Sequence, residues 1–117
     1  MTFHVYVSNS GSEHLSHFVM SVEDGRLESQ SDIELPGAPG AVATDAAQRF
    51  LYVALRSQMT LASYRIDGGS GALTPISTSQ LEEGPPYIET DNTDRFLLAS
   101  YYGGGRVSVH ELSEEGV

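Results

Sequence analysis

Two hydrophobic patterns recur along the chain. In RFLYVAL (49–55) the apolar residues run almost unbroken, which predicts a short strand buried on both faces. In LASYRI (61–66) apolar and polar positions alternate, with Ala62, Tyr64 and Ile66 on one face and Leu61, Ser63 and Arg65 on the other; VSVHEL (107–112) behaves likewise. GAVAT (40–44) and YIET (87–90) predict short strands after Gly/Pro punctuation. ALTPIS (72–77) predicts a weaker strand, and Pro75 assigns it to an outer edge because proline cannot donate to a ladder. No stretch keeps a helical period over 11 or more residues.

These patterns return at a fixed interval. TDAAQRFL (44–51) comes back as TDNTDRFL (90–97), an offset of 46 residues. The same shift superposes Tyr6, Tyr52 and Leu98, then Leu15, Leu61 and Val107, then Phe18, Tyr64 and His110. Gly25 falls on Gly71, Pro39 on Pro85, and Asp45 on Asp91. Asp45 and Asp91 open turns in which the carboxylate is expected to bond its own backbone two residues on. Gly25 and Gly71 supply positive φ in the turn after the third strand.

A unit of four antiparallel strands in about 46 residues is a β-propeller blade. The alternative, a β-sandwich of about ten short strands, gives no reason for a fixed repeat length. The fold class is therefore all-β, with about two and a half blades in one partial domain: part of a first blade over 3–33, a second over 40–79, and part of a third over 86–112. The innermost strand of the first blade and the outermost of the third are not evident. Propellers close with 4–8 blades, so two blade faces and a sheet edge are expected to be exposed. Either further sequence or self-association would cover them.

Composition narrows the partners. Sixteen acidic residues face six basic ones, all Arg, for a net charge of −10. Nucleic acid needs clustered cations and is excluded as a partner. The acids are spread along the chain and read as a solvated surface, with adaptation to high salt as the alternative. An anionic small molecule would need a local Arg. There is no cysteine, so disulfides and thiolate metal sites are excluded. No run of about 18 apolar residues exists, so no membrane partner is expected. MTFHVYVSNSG does not read as a signal peptide, and a cytoplasmic location is expected.

DRFLLASYYGGGRVSVHEL (94–112) resembles the signature of the bacterial lactonase family of seven-bladed propellers, whose members include 6-phosphogluconolactonases and, more distantly, fungal carboxymuconate lactonizing enzymes. RFLYVALRSQMTLASYRIDGGSGALT (49–74) is similar to the preceding blade, and VYVSNS (5–10) to the N-terminal strand. The resemblance covers nearly the whole chain and corresponds to the N-terminal third of a family member. It implies a small-molecule lactone as substrate, no cofactor, and catalytic His, Glu and Arg residues mainly on middle blades, so no catalytic residue is assigned here. Where many relatives have His after a Gly-Pro step, this chain has Tyr87 in EGPPYIET.

Four residues are candidates for substrate contact: Tyr101, Tyr87, Arg56 and Glu89. By the resemblance, Tyr101 sits near the channel mouth; the other reading is a packed aromatic closing the blade. Glu89 lies on an inner strand, as a channel-facing base or as a solvated or Arg-paired carboxylate. Arg56 ends the second strand of its blade, at a loop mouth where it can meet an anion, or as a surface Arg. Gly103, Gly104 and Gly105 read as a hairpin turn, the anion-cradling alternative lacking the helix and Lys of a P-loop. Arg49 and Arg95 recur with their blades and are expected to pair with turn carboxylates. His4, His14, His17 and His110 lack metal spacing, His110 reads as a packed ring, and DNTD has too few ligands for calcium. Three functions follow: a lactone hydrolase of the 6-phosphogluconolactonase type, a muconate-type cycloisomerase, and a non-catalytic propeller that binds partners.

Overall fold

The computed structural model describes residues 2–117. Among them every regular element is a strand: β1 (Thr2–Asn9), β2 (His14–Ser21), β3 (Leu27–Ser29), β4 (Ile33–Glu34), β5 (Pro39–Thr44), β6 (Phe50–Leu55), β7 (Thr60–Ile66), β8 (Leu73–Gln80), β9 (Tyr87–Thr90), β10 (Phe96–Tyr101) and β11 (Arg106–Glu111). They form three antiparallel sheets. The central sheet runs β5-β6-β7-β8, a second holds β1-β2-β3 with β4 also on β2, and the third runs β9-β10-β11.

The 46-residue interval is written into the hydrogen-bond register. Tyr6 stands opposite His17, Tyr52 opposite Ser63, and Leu98 opposite Val109. Ala43 opposes Tyr52 as Glu89 opposes Leu98, and Met20 opposes Leu27 as Ile66 opposes Leu73. Thr90 Oγ1 even donates to the carbonyl of Thr44, its own counterpart, at 3.1 Å. The sheets therefore stack as successive copies of one unit, with the inner strands β5 and β9 side by side.

Two apolar layers hold the stack. Leu51, Val53 and Leu55 on one face of β6 bury against Leu15 of the first sheet, with Leu35 and Ala62. Phe50 and Tyr52 on the other face bury against Ile88, Leu97, Ala99 and Tyr101 of the third sheet. Because both faces of β6 are covered, its apolar run is unbroken. The outer faces have no such cover. Phe3 and Val7 are exposed on the first sheet, and Leu98, Val107 and Val109 on the third.

β8 is the outer edge of its sheet, and Pro75 sits at a register shift between Ser63 and Tyr64, where no ladder donor is needed. Two local expectations are corrected. The last strand of the first sheet is split: β3 and β4 each pair β2, separated by the polar residues Gln30, Ser31 and Asp32. The bond expected two residues on forms at Asp91, to the Thr93 N–H, but not at Asp45, and both aspartates reach further along the chain. Asp45 Oδ1 accepts the N–H of Arg49 at 2.7 Å and of Phe50 at 2.9 Å. Asp91 Oδ1 accepts those of Arg95 and Phe96 at 3.0 and 2.9 Å, while its second oxygen takes Thr93. The longer reach is possible because Gln48 and Asp94 adopt left-handed φ of 59° and 58°, turning the chain back over the carboxylate.

Candidate functional site

The four sequence-derived candidates do not converge. Tyr101 is buried in the layer between the central and third sheets, with its hydroxyl 2.7 Å from Ser108 Oγ. Its ring closes the blade and does not line an opening. Ser108 Oγ in turn lies 2.9 Å from His110 Nε2. This chain of contacts satisfies a buried phenol, and burial lowers the proton affinity of His110. Tyr87 and Glu89 project together from β9, on the face turned away from the central sheet, and Tyr87 Oη donates to Glu89 Oε2 at 3.1 Å. That bond, first among its causes, raises the Tyr87 pKa above the ordinary phenol value. Glu89 is thus partnered by a phenol and not by an Arg.

Arg56 stands apart from these. It follows β6 at the same end of the sheet where Ser10 follows β1 and Tyr102 follows β10. Its N–H donates to the Ala38 carbonyl at 3.1 Å, which fixes the start of the loop. Its side chain runs between two glycines. A Cβ on Gly40 would lie 2.7 Å from Arg56 Cδ, and one on Gly84 would lie 3.4 Å from Arg56 Cβ. Gly40 is the second residue of β5 and Gly84 lies three residues before β9, so the stem lies at the entry to both inner strands. A cleft of about 510 Å³ opens there, lined by Gly40, Arg56, Glu83, Gly84, Pro86 and Tyr102 among others. Tyr102 is 89% exposed at its rim.

The other arginines are engaged. Arg49 Nε meets Asp45 at 3.3 Å, as expected from its recurrence. Arg95 departs from that expectation: its guanidinium lies 5.4 Å from the Phe96 ring centre, because the second oxygen of Asp91 is taken by Thr93. Arg26 faces Asp24, Arg65 covers Phe50 and reaches the Glu114 carbonyl, and Arg106 pairs with Glu82.

Gly103, Gly104 and Gly105 form the β10–β11 turn, with Gly105 at φ 58° and the Gly104 N–H donating to Glu83. That N–H is taken by a carboxylate of the chain. Among the described residues, no group of three or more His, Cys, Asp or Glu is arranged to hold a metal ion. Among the described residues no helix is long and apolar enough to cross a membrane.

One cluster escapes sequence reasoning altogether. His4 Nδ1 and His17 Nε2 lie 2.9 Å apart, the buried His17 ring stacks on Tyr6, and Tyr6 Oη donates to the Gly71 carbonyl at 2.5 Å. Burial, then the neighbouring His4, lowers the pKa of His17. The only sequence signal is that Tyr6 and His17 fall opposite each other once the β1–β2 register is known.

Antiparallel sheets of three and four strands stacked face to face at a constant interval, with the inner strands β5 and β9 adjacent, define blades of a β-propeller. The chain belongs to the lactonase family of seven-bladed β-propellers, whose profile it matches over residues 4–117. It is 33% identical over 113 residues to the 6-phosphogluconolactonase of Pectobacterium atrosepticum, covering 97% of this chain and 33% of that one. Identity to the 6-phosphogluconolactonase of Enterobacter sp. (strain 638) is 32%, covering 97% and 34%. The chain thus spans about a third of the length of the curated relatives it matches. Among solved structures, the periplasmic gluconolactonase of Pseudomonas aeruginosa superposes with a TM-score of 0.82 at 23% identity, over 96% of this chain and 33% of that one. A Lactobacillus plantarum protein superposes with a TM-score of 0.87 at 19% identity, over 100% and 38%. These two likenesses concern the fold alone.

Proposed function

We propose that this chain is part of a lactone hydrolase acting on a sugar lactone such as 6-phosphogluconolactone. The observation that carries the reading is the family match over residues 4–117, together with relatives of that activity aligned along 97% of the chain. Lactone hydrolysis needs a base to take a proton from water, and donors or cations to hold the oxyanion formed at the carbonyl. Of the residues described, the Arg56 cleft is the one place where a cation without an internal partner borders an opening. The buried Tyr101 has a packing role in this reading, and Tyr87 and Glu89 are a hydrogen-bonded pair on the uncovered face of the third sheet.

The test is lactone opening by a seven-bladed protein containing this sequence. Hydrolysis of 6-phosphogluconolactone above the spontaneous rate is the expected result; accumulation of a lactone from an open acid would favour the cycloisomerase instead. Residues 1–117 alone are expected to give no turnover above background, because no assembled base and oxyanion site is found among the described residues. Turnover by that chain would refute this expectation.

A further inference from the structure

We propose that Arg56 is an anion anchor, a specificity-determining residue that holds the phosphate or carboxylate of a small acidic ligand in the cleft between the entries to β5 and β9. The naming of sugar acids as probes rests on the lactonase reading; the anion site does not.

The first ground is the state of the guanidinium. In a chain with 16 acids and six arginines, a cation without a partner is the exception. The guanidiniums of Arg26, Arg49, Arg65, Arg95 and Arg106 each meet a carboxylate, a carbonyl or an aromatic ring, as set out above. Among the described residues Arg56 meets none, although its stem is positioned along its length. The one carboxylate lining the cleft, that of Glu83, accepts the Gly104 N–H at 3.2 Å. An Arg offers five donors in a planar fork that suits phosphate and carboxylate.

The second ground is that the cleft is shaped around that stem. A methyl group at position 40 would push against Arg56 Cδ at 2.7 Å. Gly40 has no positive φ that would require glycine for backbone reasons; the Arg56 stem lies where its side chain would stand, so a side chain there would displace the stem.

The third ground is position. Ser10, Arg56 and Tyr102 occupy equivalent sites in the three sheets, 46 residues apart. Ser10 is committed to the Pro39 carbonyl at 2.9 Å. Arg56 and Tyr102 both border one opening, and Tyr102 is 89% exposed at it. A guanidinium beside an exposed phenol is a pair of donors suited to an oxyacid. In a protein of net charge −10, one local cation is the means by which an anion is held against general repulsion.

The test is an NMR titration of ¹⁵N-labelled protein at low ionic strength with inorganic phosphate, 6-phosphogluconate and gluconate. The expected result is a shift of the Arg56 Nε–H and of the Gly40, Gly84 and Gly103 amides. A response to phosphate and 6-phosphogluconate but not gluconate assigns the cleft to phosphate; an equal response to gluconate assigns it to carboxylate. Arg56→Gln should weaken binding roughly 10–100-fold, the range of one lost charged hydrogen-bonding group. Arg56→Lys should restore part of it as a point charge. Gly40→Ala should weaken binding by displacing the stem, and Glu83→Gln should strengthen it by removing a like charge from the cleft. Unchanged affinity in Arg56→Gln, or shifts centred on another Arg, overturns the proposal. Lactone turnover is read separately. In a seven-bladed protein containing this sequence, anion binding without turnover would sink the hydrolase reading and leave Arg56 as the anchor; turnover whose KM for the phosphorylated lactone ignores Arg56→Gln would do the reverse.

Discussion

Asp45 and Asp91 make the same two backbone hydrogen bonds in different surroundings: Asp45 is buried and also meets Arg49, whereas Asp91 is more open and also accepts Thr93. The Asp45 side chain is 1% exposed and accepts the N–H groups of Arg49 and Phe50 along with Arg49 Nε. Asp45→Ala leaves the buried Phe50 N–H and the part-buried Arg49 N–H without their acceptor. A hydrogen bond to a charged group contributes about 1.5–3 kcal/mol, and a stranded buried donor carries its desolvation penalty. The Arg49 guanidinium is half exposed, so its ion pair adds little. The expected loss is therefore about 3–5 kcal/mol, a large part of the ~5–15 kcal/mol typical of a domain. Asp45→Asn keeps an acceptor and should lose about 1–2 kcal/mol. Asp91→Ala should lose clearly less than Asp45→Ala, because solvent can reach the freed N–H groups. Urea unfolding followed by tyrosine fluorescence reads the difference, there being no Trp; at an m-value of about 1–3 kcal/mol/M, Asp45→Ala should move the midpoint by roughly 2 M. Equal losses at the two positions, or a loss under about 1 kcal/mol at Asp45, would refute the assignment of the penalty to burial.

The remaining predictions concern the sheet interfaces and the uncovered faces. His17 has a folded-state pKa lowered from 6.5 by burial and by His4, so the unfolded chain takes up its proton first. Stability should be fully present above pH 6.5, fall as pH drops from there towards the lowered value, and then level off, with a slope of at most about 1.4 kcal/mol per pH unit. His17→Phe, which keeps an aromatic ring against Tyr6, should flatten that part of the curve; an unchanged slope would remove His17 as its source. Gly71→Ala places a Cβ 2.5 Å from His4 Nδ1 at φ +76°, whereas Gly25→Ala meets nothing within 4 Å at φ +75°. Backbone strain of about 1–2 kcal/mol applies to both, but overpacking adds about 1–3 kcal/mol only at Gly71, so calorimetry should rank them in that order. Leu98, Val107 and Val109 leave an apolar sheet face exposed, so residues 1–117 should self-associate and Val109→Lys should reduce this in sedimentation; a wild-type monomer at all concentrations would contradict it.

The fold was largely legible because the features that define it are periodic. The unbroken run at 50–55, the alternation at 61–66 and the 46-residue echo each report burial on a repeating scaffold, and the registers recur at the same interval. What is not periodic was harder to see. The break between β3 and β4 lies in Gln30-Ser31-Asp32, which has no counterpart pattern to reveal it. The reach of Asp45 depends on a left-handed Gln48, a residue type that does not announce positive φ. Burial of Tyr101 was legible in principle, since it shares the parity of Leu97 and Ala99, both buried.

The site differs from the fold in the kind of information it requires. A sequence displays every charge but not which charges neutralise one another. Six arginines look alike in the chain, and Arg49, Arg95 and Arg56 were separable only by whether they recur at the 46-residue interval. Arg49 finds the second oxygen of Asp45, whereas at Asp91 that oxygen is taken by Thr93 and Arg95 lies over Phe96. Arg56 breaks the interval, standing where the neighbouring blades have Ser10 and Tyr102. In a repeat scaffold the recurring residues are retained by the requirements of stacking, which are the same in every blade. A charged residue at one copy of a position answers to no such shared requirement. That is why the unpaired cation at the cleft, and not the conspicuous SYYGGG segment, is where chemistry specific to this region is to be sought.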